Sequence, residues 1–68
     1  MGVYSWNLQM TSSEKESVFD ALLNINSISS DEKDEIKQIR RNLTVVGMTS
    51  ETENQFMERM ISKYGSQI

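Results

Sequence analysis

Three times in this chain a hydroxyl residue is followed, three positions on, by glutamate: Thr11 and Glu14, Ser29 and Glu32, Ser50 and Glu53. At that spacing the hydroxyl can accept from the third amide of a helix while the glutamate reaches back to the first residue's amide. An apolar period of helical type follows each pair. After Thr11 come Val18, Ala21, Leu22 and Ile25 at i, i+3, i+4 and i+7, widened by Phe19 and Leu23. After Ser29 come Ile36, Ile39 and Leu43, with Val46 as an extension. After Ser50 come Phe56, Met57, Met60, Ile61 and Tyr64. Each set makes one apolar face. The predicted helices run over about 13–24, 30–43 and 50–64.

The breaks between them follow local chemistry. Residues 24–30 (Asn-Ile-Asn-Ser-Ile-Ser-Ser) favour turns and caps. The β-branched run Thr44-Val45-Val46 before Gly47 ends or bends the second helix. Gly65 stands where a C-terminal cap belongs. Asp31, Glu32, Asp34 and Glu35 crowd the start of the second helix and Lys37, Arg40 and Arg41 its end, both opposing the helix dipole.

Residues 1–11 read differently. Tyr4, Trp6, Leu8 and Met10 alternate with Ser5, Asn7 and Gln9, the period of a strand with one buried face. The expected architecture is mainly α: a compact three-helix domain over 12–68 with an extended, β-like N-terminal arm over 1–11. A lone strand has backbone groups to satisfy. It can lie across its own helices with Trp6 and Leu8 plugging the core and the backbone facing water, pair with the same arm of a second copy, or add to another protein's sheet edge.

At 68 residues the chain buries only about 60% of its unfolded surface. Its core supplies a net stability of about 3–5 kcal/mol. With no Cys, disulfides and thiolate metal sites are excluded; with no His, the commonest general base and metal ligand are missing. The acidic run lacks the glycine turn and ligand order of a calcium loop. No catalytic, cofactor or metal residue is assigned. A reducing cytoplasm is the expected setting, and no apolar run is long enough for a membrane span. Asn42-Leu43-Thr44 has glycosylation spacing without a secretory context. The Met1-Gly2 start carries Trp6 where myristoylation needs Ser or Thr.

These features point to a small non-catalytic protein–protein interaction module of the regulator, adaptor or inhibitor type, acting as a homodimer. Tyr4, Trp6 and Leu8 are its expected anchors, since aromatics dominate such contacts. Lys33, Lys37, Arg40 and Arg41 share a second-helix face that suits phosphate or an acidic partner, or else is simply solvated. The alternative is a helix-turn-helix-like DNA-binding regulator using helices 2 and 3, with Asn54 and Gln55 placed to read adenine. The net charge of −3 and the acidic Glu51 and Glu53 weigh against nucleic acid. The methionines Met48, Met57 and Met60 read as core filler ahead of an adaptable groove.

Overall fold

The computed structural model describes Trp6, Asn7 and residues 9–68. Its elements are α1 (Ser12–Leu23), α2 (Ser30–Val46) and α3 (Glu51–Tyr64), followed by one 3-10 turn, Gly65–Gln67. No strand occurs among the described residues, and no helix among them is long and apolar enough to cross a membrane.

All three capping boxes form with both arms closed. Thr11 Oγ1 accepts from the Glu14 amide at 3.1 Å, and Glu14 Oε1 accepts from the Thr11 amide at 2.9 Å. The matching pairs are 3.1 and 3.2 Å at Ser29 and Glu32, and 3.2 and 2.8 Å at Ser50 and Glu53. Each box satisfies two amides that a bare helix start leaves open.

The starts thus fall within a residue of expectation, but the end of α2 does not. The helix runs through Thr44, Val45 and Val46 instead of stopping near Leu43. β-Branched residues cost a helix only a few tenths of a kcal/mol each. Thr44 also places its hydroxyl inside the helix, donating to the Arg40 carbonyl at 3.1 Å. Gly47 makes the stop, with φ of 87° and its amide on the Leu43 carbonyl at 2.8 Å. The longer helix removes the dipole explanation for Lys37, Arg40 and Arg41, because the last turn of α2 holds no basic residue. Gly65 caps α3 as expected, without the left-handed turn of Gly47. It occupies the C-cap but stays right-handed, with φ −58° and ψ −29°, and leads straight into the 3-10 turn.

The core joins all three helices to the segments between them. Phe19 and Leu22 of α1, Ile36 and Ile39 of α2, and Met57 of α3 are almost wholly buried, with Ile25 and Ile28 closing the α1–α2 link. The face of α1 is rotated from its expected centre: Lys15, Val18, Phe19 and Leu22 are buried, while Ala21 is half-buried. Phe19→Ala at such a site costs about 3–5 kcal/mol, as much as a core of this size supplies in net stability.

Part of the arm falls outside the described residues, Tyr4 and Leu8 included. The described part begins with Trp6, which is 7% exposed and belongs to the core. From Asn7 to Met10 the chain closes locally: Asn7 Oδ1 accepts from the Gln9 amide at 2.9 Å, and the Met10 amide donates to the Asn7 carbonyl at 3.4 Å. Met10 packs on the core edge.

Glu32 ties the start of α2 to the end of α3. Besides capping Ser29, its carboxylate accepts from Tyr64 Oη at 2.5 Å and from Lys63 Nζ at 3.0 Å. The Tyr64 and then the Lys63 hydrogen bonds hold its pKa down at about 2, from an ordinary value of 4.5.

Two outcomes follow from this architecture. Gly47→Ala forces a side chain into the left-handed region and should lower stability by about 1 kcal/mol. Gly65→Ala, where a Cβ meets only Ile61 Cγ2 at 3.7 Å, should be neutral or stabilising by a few tenths. Urea midpoints check this, and equal losses at both positions would contradict it. The second concerns pH. A carboxyl with a depressed folded pKa stabilises fully above its unfolded value and loses that contribution as it protonates in the folded state. The melting-temperature gap between the wild type and Glu32→Gln should therefore close as pH falls from about 4.5 to about 2. A gap that stays constant across that window rules out the Glu32 account.

Candidate interaction surface

Trp6 is the residue on which the sequence placed most weight, and its indole is engaged inside its own chain. Nε1 donates to Asn54 Oδ1 of α3 at 3.1 Å. The ring lies 5.4 Å from the Phe19 ring, tilted 48°, and the Lys15 ammonium sits 5.5 Å from its centroid. Trp6 thus plugs the core, as the first of the three arrangements expects of it; Leu8, its companion in that arrangement, lies outside the described residues. Presenting Trp6 to a partner would require undoing these contacts.

The same place holds a set of buried polar groups. Lys15 Nζ donates to Thr49 Oγ1 at 3.0 Å, and the Thr49 hydroxyl donates to Asn54 Oδ1 at 2.5 Å. Lys15, Thr49 and Asn54 are all buried, and no buried side-chain N or O lacks a partner among the described residues. Asn54 is thus withdrawn from the surface where the DNA-binding alternative needed it. None of these three polar partnerships was foreseen. The available signal was positional: Lys15 is three residues before Val18 and four before Phe19, on the apolar face of α1.

The basic stripe on α2 does not act as one unit. Lys33 is half-buried, and Lys37, Arg40 and Arg41 are exposed. Arg40 reaches across to Asp20 of α1 at 3.4 Å, an exposed pair worth well under about 1 kcal/mol. Lys37 and Arg41 line a shallow depression with Asp34, Gln38 and Asn42.

The α2–α3 corner carries the large exposed apolar side chains among the described residues: Val45 is 77% exposed, Val46 66% and Met48 65%. The apolar seam of α2 is buried as far as Leu43, and its next position, Val46, lies beyond the reach of the core. Gly47 then turns the chain, and Thr49 re-enters the interior. Asn42 Nδ2 donates to Glu53 Oε2 at 2.9 Å and braces the two helices behind the corner. Burial alone would raise the Glu53 pKa, but the hydrogen bonds from Asn42 and Ser50 outweigh it and keep the carboxyl below its ordinary value. A groove lined by Asn42, Val46, Met48, Thr49, Ser50 and Glu53 runs along this edge. Met57 and Met60 are core, as expected; Met48 is not, and its assignment as filler is corrected here. A helical period shows which way a side chain points but not where the core ends.

No protein-family model, curated protein or solved structure matches this chain.

The indole–amide link should show as a coupling. Asn54→Ala leaves the buried indole N–H without its acceptor, at about 1–3 kcal/mol, whereas Trp6→Phe removes one of the two donors to Asn54 Oδ1, which keeps Thr49. Together they should cost at least about 0.5 kcal/mol less than the sum of the two, as urea denaturation of the four-member cycle would read. Strict additivity would mean that the bond contributes nothing.

Proposed function

We propose that this chain is a small, non-catalytic protein-interaction module of the regulator, adaptor or inhibitor type, and that it meets its partner at the α2–α3 corner. One observation carries the reading: Val45, Val46 and Met48 stand exposed together on a corner braced by Asn42 and Glu53. Large apolar side chains held in water on rigid elements are characteristic of binding surfaces. Methionine is enriched where proteins meet, because its unbranched thioether adapts to the opposing shape. This proposed contact differs from the expected Tyr4, Trp6 and Leu8, of which only Trp6 lies among the described residues, and sits at the Thr49 end of the Trp6–Asn54–Thr49 hydrogen bonds.

The DNA-binding alternative has less support from this geometry. Asn54 is committed to Trp6 and Thr49, and Arg40 reaches Asp20. Lys37 and Arg41 remain for phosphates, against Glu51 and Glu53 at the start of α3 and a net charge of −3.

A photo-reactive residue in place of Met48, compared with one in place of the exposed Glu16 of α1, tests the reading in the native host. Protein adducts should form at position 48 and not at position 16. Absence of adducts at 48, or salt-dependent retention on DNA that is lost with Lys37→Ala and Arg41→Ala, would overturn it.

A further inference from the structure

We infer that Met48 is a reversible oxidation site: an oxidant of the peroxide class converts its thioether to the sulfoxide without disturbing the core, and this shuts the α2–α3 corner to its partner. The second half rests on the proposed protein-binding role of that corner. The selectivity of the oxidation does not.

Burial sorts the sulfur atoms. The chain has no Cys, so methionine holds all of its sulfur. Met57 and Met60 lie in the core. Met10 is half-buried against the core edge, and its Sδ accepts from the Asn7 amide at 3.1 Å, which engages a lone pair that an oxidant would need. Met48 alone among the described methionines is exposed. It belongs neither to the core nor to the side chains packed on its edge. The other oxidisable side chains among the described residues, Trp6 and Tyr64, are buried.

The chemistry needs only the oxidant. The Met48 Sδ lone pair attacks one peroxide oxygen and the O–O bond breaks. The proton of the transferred oxygen passes, in net, to the departing one, which leaves as water. Sulfur is oxidised by two electrons and the peroxide is reduced by two. The product is polar and carries a strong acceptor where an apolar atom stood. In the free protein water solvates that oxygen. Under a partner the water must be stripped away, and a buried polar group without a hydrogen bond is costly. Oxidation therefore weakens docking at the corner, and the helices, which do not use Met48, stay as they are.

Hydrogen peroxide applied to the full chain, followed by peptide mapping in a mass spectrometer, reads the selectivity. In the folded protein one oxygen should appear at Met48, with Met57 and Met60 at least about tenfold slower, because attack on them waits for the core to open. In urea that difference should vanish. Circular dichroism of the Met48 sulfoxide should match that of the untreated protein. The two sulfoxide reductases, one for each epimer, should together remove the oxygen. A photo-reactive residue in place of the exposed Val45 then reads docking in host lysate, with reagents removed before mixing. Its protein adducts should fall several-fold after peroxide and return after the reductases.

Folded-state oxidation spread evenly over Met48, Met57 and Met60 overturns the inference, as does loss of helix content with the Met48 sulfoxide. Adducts at position 45 that are indifferent to the Met48 sulfoxide overturn the switch while the protein-binding reading stands. If position 45 gives no adducts even before oxidation, that reading fails and the switch fails with it, whatever the peptide map shows.

Discussion

The carbonyl oxygen of the Asn54 side chain, buried in a chain of 68 residues, receives hydrogen bonds from two directions. Trp6 arrives from before α1, and Thr49 from the link before α3. Lys15 of α1 closes the set through Thr49 and lies over the indole. A small core has little margin, so the largest side chain in the sequence is worth most inside it. An indole buries well only if its N–H has a partner, and here that partner lies 48 residues away. The N-terminal segment, α1 and the α2–α3 link are thereby brought to one place.

The exposed corner follows from the same economy. Thr49 must turn inward to reach Lys15 and Asn54. The chain just ahead of it reverses at left-handed Gly47, leaving Val46 and Met48 on the outside. The buried polar set and the exposed apolar set thus occupy neighbouring stretches of one tight link. Asn42 and Glu53 hold that link between two capped helices, so it presents its side chains on a firm base.

Much of this was legible in the order of residues, for a local reason. A capping box is closed by side chains three positions apart, so Thr11, Ser29 and Ser50 announced their helices without help from the rest of the fold. Ends were harder. Nothing local stops a helix at Thr44, and only the φ of Gly47 does so three residues later. Distance in sequence set the other limit. The partners of Trp6 and Lys15 lie 48 and 34 residues away, and periodicity carries no information about pairings at that range. Lys15 stands on the apolar face of α1, and nothing near it in the sequence pointed to its partner Thr49. Met48 looked like core because its residue type was judged without knowing where burial stops. Glu32 was read as a cap, which it is. Its second role, accepting from Tyr64 and Lys63, needed the end of α3 to be brought beside the start of α2.

The central physical claim is that Trp6 belongs to the cooperative core and is not an appendage laid over it. Trp6 is the only tryptophan, so its fluorescence reports on that claim without labelling. The account predicts blue-shifted emission, protection from acrylamide quenching, and a urea transition by fluorescence that coincides with loss of helical circular dichroism. Red-shifted, freely quenched emission in the native protein, or an indole released well before the helices melt, would contradict it.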